Sequence, residues 1–496
     1  MTTLARHRSL LLLLGAALAW RLALAFVIVP GRGYATDLGL FWQWATSLAQ
    51  HGSGTFYAST GSANYPPGYL YVLWALGLTG EPALLKLPAI LADIGIGAVL
   101  YALALRWRGP RTGLVAAALF LFLPVSWYDS ALWGQVDAVG TLVAVVALLL
   151  LVEGWSEAAL ATAVLAVLVK PQYAIGLGVV IPVLVRRHLL RPGSGPRPVL
   201  GRVTGSLDHA LGGLLADQGP RRLASSAVLA GVLGILVLLP FDLARYAAPS
   251  LADLPVIGQV AGLAGLFGRL GSEFTVLTAN AFNPWALAGT PPLAQTLAGG
   301  GSWWIADSTI IAGGLPAVTI GAGALVAVGL LVAGGLLVRD GLVPILLGFT
   351  VLALAFFVLP TRVHERYLFP FFATASVLAA PSAVRVAGLA ALNLLAAVNL
   401  HAILAGNVFT TGSGGGAGGG RPGAFGGGFG GAFGGGFDGA GYTAIQLPLG
   451  DVARSEAAVT LVALTLGLSL VVLVGAWIRL VARGSPGVSL PASPTG

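Results

Sequence analysis

The sequence contains no cysteine, which excludes disulfide bonds and thiolate metal sites and leaves its redox compartment unmarked. Charge is scarce as well. Asp, Glu, Lys and Arg make up 9% of the residues, against about 25% in a soluble globular protein. Only two residues are lysine, Lys86 and Lys170, so the net charge of +8 is carried almost wholly by arginine. In a soluble protein that balance would point to nucleic acid; here it is read through loop topology. What fills the 496 residues is apolar, at 57%, and nearly every stretch free of Gly and Pro is an apolar run. No soluble domain stands out.

A crossing helix needs about 20 apolar residues. Candidate crossings fall at 9–30, 84–105, 112–127, 137–153, 157–169, 172–185, 223–242, 316–338, 341–360, 367–384, 386–405 and 456–478. The expected fold is therefore an all-α polytopic membrane protein of about twelve transmembrane helices. The short segments 157–169 and 172–185 read as half-length or tilted helices meeting at Lys170-Pro171-Gln172. Arg6 and Arg8 precede the first apolar run as in a secretory signal, but Arg21 interrupts it, so a retained anchor is expected.

With a cytoplasmic N-terminus, Arg6, Arg8, Arg106, Arg108, Arg111, Arg339, Arg385, Arg479 and Arg483 fall inside, as do seven arginines of the 186–222 loop. These are 16 of the 26 basic residues, a bias that fits the positive-inside rule. The basic loop then anchors topology, in preference to binding nucleic acid or lipid head groups. Segment 67–80 decides the orientation. It is apolar but short and rich in Tyr and Trp, and is expected to lie as an interfacial helix on the outer surface. As a crossing it would send Arg106, Arg108 and Arg111 outside.

The expected organisation is a transmembrane catalytic domain over 1–405, with outer loops at 31–83 and 243–315 and the basic cytoplasmic loop at 186–222. Trp285, Trp303 and Trp304 in the second outer loop suit an interfacial belt or a sugar-stacking surface. Residues 406–455 read as a flexible outer loop, whose 411–441 stretch of Gly with interspersed Phe cannot bury a core; a mobile lid is the alternative. Residues 456–496 supply the last crossing and a cytoplasmic tail. The chain is thus expected in the cell membrane, multi-pass, among membrane lipids.

Four polar constellations share the outer face in this topology, and charges at membrane depth are functional candidates. Asp37 stands among aromatics just beyond the first crossing, either as a catalytic acid or as a helix N-cap with Thr36. The run Trp127-Tyr128-Asp129-Ser-Ala-Leu-Trp133-Gly134-Gln135-Val-Asp137 could bind sugar hydroxyls or help hold a divalent cation, or could be a capped turn with Trp anchors. Lys170 either snorkels or meets a phosphate. Arg362, His364 and Arg366 lie within five residues, a compact anion site; HExxH spacing is lacking, so zinc at His364 is not expected.

Together these residues resemble the GT-C superfamily of membrane glycosyltransferases, which take sugars from polyprenyl-phosphate carriers. The matching order is Asp37, Tyr65-Pro66-Pro67, Lys86-Leu-Pro-Ala-Ile-Leu-Ala-Asp93, Trp133-Gly-Gln-Val-Asp137, Lys170-Pro-Gln172, Asn280-Ala-Phe-Asn283-Pro-Trp285, and Arg362-Val-His-Glu-Arg-Tyr-Leu-Phe-Pro370. It covers about residues 9–370 and looks most like the bacterial mannosyltransferase branch. The resemblance implies a GT-C-like fold and assigns Asp37 as general base. The first loop has a single Asp, not an Asp-X-Asp pair, which leaves a need for Mg²⁺ or Mn²⁺ open.

Transfer from a polyprenyl phosphate requires a carboxylate to take the acceptor proton and cations to meet the departing phosphate. Asp37 is expected in the first role, and Lys170, Arg362, His364 and Arg366 in the second. Tyr65, Asp129, Trp133, Gln135, Asp137 and Glu365 would bind sugar or acceptor. One base without a second nucleophile predicts inversion at the anomeric carbon. The sugar is expected to be a hexose, with mannose favoured, and the acceptor a glycolipid, polysaccharide or protein hydroxyl. No nucleic-acid partner is expected. The rival classes are a transporter or lipid flippase, which predicts inverted repeats and charges near the midplane, and an inactive assembly protein.

Overall fold

A computed structural model describes residues 7–61, 63–196, 214, 217–288, 305–405 and 442–483. The Gly-rich stretch 411–441, Trp303, Trp304 and most of the 186–222 loop lie outside the described residues. Among those described, the chain is almost entirely helical. Its strands are two short ribbons, one of which pairs Arg32–Gly33 in parallel with Thr443–Ala444.

The principal helices are α1 (Arg8–Ala23), α2 (Ala35–His51), α3 (Pro67–Thr79), α4 (Leu87–Arg108), α5 (Pro110–Phe122), α6 (Asp137–Val152), α7 (Ser156–Val169) and α8 (Leu177–Val185). They continue with α9 (Pro220–Leu238), α10 (Pro255–Glu273), α11 (Ala317–Val338), α12 (Leu342–Val358), α13 (Phe369–Ala379), α14 (Ala383–Leu404) and α15 (Glu456–Ala482). Several open on proline, whose fixed φ and missing N–H suit a first turn. Between α4 and α5 the chain reverses at Gly109, whose φ of 88° is open to glycine at little cost.

Seven helical stretches are long and apolar enough to cross a bilayer: Arg8–Ile28, Pro82–Arg108, Pro171–Leu190, Pro220–Leu238, Ala317–Val338, Ala383–Leu404 and Glu456–Ala482. Helix α5 with Pro124–Trp133, bent by 47°, makes an eighth. Helices α6, α7, α12 and α13 are apolar but of 10–17 residues. The chain is an all-α, multi-pass membrane protein, with helix in each of the twelve expected segments and seven to eight crossings by length. The segment expected as a half-helix at 172–185 runs instead from Pro171 to Leu190, because a 3-10 turn and a π turn extend α8 at its two ends.

Helix α12 is buried nearly all round and forms the centre of the bundle, whereas α11 and α15 turn Leu330, Leu464, Leu468 and Val471 outward. A second, smaller core lies under segment 31–83, joining Leu38, Phe41, Trp44, Tyr57, Tyr69 and Leu70 to Leu238, Phe241 and Leu266. Helix α3, the expected interfacial segment, is wedged there. Gly77 lets it press on the Ala45 carbonyl of α2, and Gly68 on the Leu168 carbonyl of α7.

The hairpin α6–α7 sorts the charges into two faces. Asp137 opens α6 and pairs with Lys170 just past the end of α7. At the opposite end Glu153 pairs with Arg106, Glu157 with Arg222, and Arg187 with Asp340. Sixteen helical residues of α6 hold the two groups about 24 Å apart.

Candidate active site

The site is built on the face of Asp137, where α2, α6, α7 and the 361–368 loop meet. Between Trp127 and Gly134 the chain makes a π turn, Tyr128–Trp133, closed when Gly134 and Gln135 donate N–H bonds to the Asp129 carbonyl, both at 3.0 Å. Gly134 has φ 89°, and a Cβ there would meet Leu38 at 2.7 Å. The turn therefore seats directly on the first turn of α2, which carries Asp37. Tyr34 stacks on Trp133 at 4.8 Å and donates its N–H to the Trp133 carbonyl at 3.1 Å.

Asp37 does not cap its helix. Helix α2 begins at Ala35, with Tyr34 at the capping position. The Asp37 carboxylate instead accepts at Oδ2 from Trp133 Nε1 at 2.9 Å and from Gln135 Nε2 at 2.5 Å. Two donors on one oxygen orient the carboxylate and leave Oδ1 without a hydrogen-bond donor among the described residues, the arrangement expected of a carboxylate held to receive a proton.

Asp137 accepts from Lys170 Nζ at 3.0 and 3.1 Å and from Gln172 Nε2 at 2.9 Å. The Lys170 ammonium also lies 5.4 Å from the centre of the Tyr65 ring and 5.9 Å from that of Tyr367. Arg366 donates to Glu365 at 2.8 Å, stands 3.7 Å from Asp137, and faces the Trp133 ring at 6.0 Å. Its field reaches Asp37 as well. Asp37, Tyr65, Trp133, Gln135, Asp137, Lys170, Glu365 and Arg366 thus form one cluster, drawn from five separate stretches of chain.

His364 sits at the edge of the cluster, with its ring against Phe274 at 4.8 Å and Tyr367 at 5.3 Å. Burial, with the charges of Arg366 and Lys170 added, pushes its imidazole well below the usual histidine range and holds it neutral. It therefore brings no positive charge. Burial pushes the Glu365 carboxyl up, and Arg366 opposes that shift. Asp129 is fully buried within the fields of Asp137, Lys170 and Arg366, and neither of its carboxylate oxygens has a protein donor.

Arg362 is placed elsewhere. Its backbone has φ 67°, and its guanidinium bonds Asp307 at 2.5 Å and the Gly271 carbonyl. Asp307 also accepts from Thr361 at 3.0 Å. Conversely, Gln172 joins the site as a donor to Asp137; the sequence presents it only as the last letter of the Lys170-Pro-Gln172 motif.

Lys86 has a part that sequence did not reveal. Fully buried, its ammonium donates to the main-chain carbonyls of Arg32 at 2.6 Å, Ala131 at 2.7 Å and Leu132 at 3.0 Å. It staples the strand leading to Asp37 to the π turn carrying Trp133. Tyr442 covers it, 5.8 Å from ring centre to ammonium. Deeper still, Arg21 and Asp93 form a fully buried ion pair at 2.8 Å, with Ser130 of the π turn donating to Asp93 at 2.6 Å.

No group of three or more acidic or histidine side chains converges as a metal-ligand set among the described residues. Asp37, Asp137 and Glu365 each have an oxygen committed to a protein donor, and Asp129 alone is uncommitted. As placed, these carboxylates do not converge on one point as a divalent-cation donor set among the described residues.

No family model matches the chain, and no curated protein matches it in sequence. Among solved structures, one similar chain is the archaeal oligosaccharyltransferase AglB from Archaeoglobus fulgidus, in complex with an inhibitory peptide and a dolichol-phosphate. The identity is 15% and the TM-score 0.39, over 98% of this chain and 57% of that one. A likeness at that level neither shows a family nor assigns an activity.

Proposed function

We propose that the chain is a GT-C-like membrane glycosyltransferase that moves a hexose, with mannose favoured, from a polyprenyl-phosphate donor to an acceptor hydroxyl with inversion. The observation that carries this reading is the Asp37 carboxylate, oriented by Trp133 and Gln135 on the same face as Lys170 and Arg366. Asp37 would take the acceptor proton as the hydroxyl attacks the anomeric carbon. The bond to phosphate breaks in the same displacement, and its electron pair leaves with the phosphate.

The cluster sets three carboxylates, Asp37, Asp137 and Glu365, against two cations, with the buried Asp129 adding its field from beside it. Phosphate binding is therefore an exchange. Its oxygens replace carboxylate contacts on Lys170 and Arg366, helped because burial already favours a neutral Glu365. Tyr65, Trp133 and Gln135 line the cluster for sugar or acceptor. The neutral imidazole of His364 suits a hydrogen bond to the donor better than a charge contact, and Arg362, committed to Asp307, acts at most through the loop it belongs to.

The site is assigned to the extracytoplasmic face of the plasma membrane, with a cytoplasmic N-terminus, because the arginine-rich helix ends gather opposite to it. The acceptor would be a glycolipid, polysaccharide or protein. Incubating membranes with a panel of labelled polyprenyl-phosphate sugars, with and without EDTA, tests the reading. Transfer from one of them supports it, with EDTA sensitivity reporting Mg²⁺ or Mn²⁺ dependence; transfer from none contradicts it.

A further inference from the structure

Helix α10 (Pro255–Glu273) is not among the candidate crossings, and its sidedness is inverted relative to a helix of a water-soluble surface. Its exposed stripe runs through Val256, Ile257, Val260, Ala264, Gly268 and Gly271, with no charged side chain on it. Val256, Ile257 and Val260 are 42%, 55% and 47% exposed. The polar residues turn toward protein. Arg269 donates to the Gly61 carbonyl at 3.0 Å, and Glu273 accepts from Asn64 at 3.2 Å. On the packed side, Gly262 and Gly265 press against the carbonyls of Leu243 and Tyr246, and Leu266 enters the core beneath segment 31–83.

The stripe continues the apolar surface of its neighbour. Helix α10 packs on α9, a candidate crossing whose outward side presents Val228, Leu229, Val232, Leu236 and Leu239. Helix α9 starts at the face of Arg222 and Glu157 and ends at Leu238, three residues before Phe241, which packs on Tyr57 and Tyr71 on the face of the site. Leu236 and Leu239 are thus at the end of α9 nearest the site. The preceding turn adds exposed Leu251 and Leu254 beside Val256 and Ile257, with the exposed carboxylate of Asp253 between them at the polar edge. Interrupted only by exposed Asp253, one apolar surface passes from the lipid-facing side of a crossing onto a helix that does not cross.

We infer that α10 is an interfacial membrane-contact helix, its Val256–Ile257–Val260–Ala264 stripe seated at the headgroup–acyl boundary of the leaflet on the site side. The partner is the lipid surface itself. A helix lying in an interface buries its apolar face roughly 5–10 Å into that boundary. Its C-terminal end leads straight into Phe274, which touches His364, so the lipid boundary reaches the rim of the polar cluster.

The absence of cysteine makes the test direct, because a single introduced cysteine labels one position. Val256→Cys, Val260→Cys and Ala264→Cys in the full chain are nitroxide-labelled and reconstituted in phosphatidylcholine–phosphatidylglycerol vesicles. Oxygen, which partitions into the bilayer, and a water-soluble nickel chelate are compared as relaxants. Val232→Cys on α9 serves as the lipid control and Ala58→Cys, exposed on segment 31–83, as the water control. Oxygen-to-nickel accessibility at 256, 260 and 264 is expected at least about threefold above position 58, approaching position 232. Nickel accessibility matching position 58 would overturn the inference, as would low accessibility to both relaxants, which would mean protein covers the stripe. Should a labelled variant lose its monodisperse state, Ile257→Trp with fluorescence quenching by acyl-brominated phosphatidylcholine reads the same contact; unquenched emission shifted to that of a water-exposed indole would overturn it.

Discussion

Replacing Lys86 with methionine keeps the side chain's length and apolar stem but removes an ammonium shared by three main-chain carbonyls. A hydrogen bond from a charged donor contributes roughly 1.5–3 kcal/mol, and a buried carbonyl left without a donor costs about 1–3 kcal/mol. Three such carbonyls amount to a loss of roughly 6 kcal/mol. Methionine also relieves the desolvation of a lone buried cation, worth several kcal/mol, which takes back about half of that loss. The expected net destabilisation is about 3 kcal/mol. Because the same staple joins the strand before Asp37 to the turn bearing Trp133, transfer activity should fall with it. The assay is a graded dodecyl sulfate titration in mixed micelles, followed by tryptophan fluorescence, with sugar transfer measured on the same preparations. A Lys86→Met protein as stable as wild type, or more so, would refute the staple.

Three further outcomes are expected. His364 is buried neutral, so its folded pKa lies below the unfolded value of about 6.5. Its contribution to stability is then complete above that pH and is lost as pH falls through and below it. Wild type should lose more unfolding resistance between pH 7.5 and 5.5 than His364→Asn, and equal losses would contradict this. Glu365→Gln removes a competitor for Arg366, so KM for the donor should fall about threefold with little change in kcat; a raised KM would show that Glu365 itself contacts substrate. Gly77→Ala drives a Cβ into the Ala45 carbonyl, where backbone must shift, and should cost about 2 kcal/mol or more in the same titration, against no change for Gly15→Ala, whose Cβ meets nothing within 4 Å.

Much of this was legible in the sequence, for identifiable reasons. Apolar runs name the helices because a bilayer demands them, and the rarity of charge made Asp37, Asp137 and Lys170 conspicuous. Direction was not legible. Arg362 sits two residues from His364 in sequence, yet its φ of 67° sends the guanidinium to Asp307. Asp37 lies where a cap would, yet its partners are Trp133 and Gln135, roughly a hundred residues away. The role of Lys86 was invisible because its partners are main-chain carbonyls, which carry no sequence signature until the fold assembles them. The apolar stripe of α10 was hidden in a segment interrupted by Gln259, Arg269 and Glu273, all of which turn away from it.

The central claim is that Asp37 is the base of a sugar transferase, and Asp37→Asn tests it most directly. The amide keeps the shape and removes the proton acceptor. Membranes carrying the variant at wild-type abundance are incubated with labelled polyprenyl-phosphate sugar, and label in the acceptor is counted. A general base contributes about 10²–10⁴-fold, so transfer should fall by at least about 100-fold. Transfer within a few-fold of wild type would contradict the assignment.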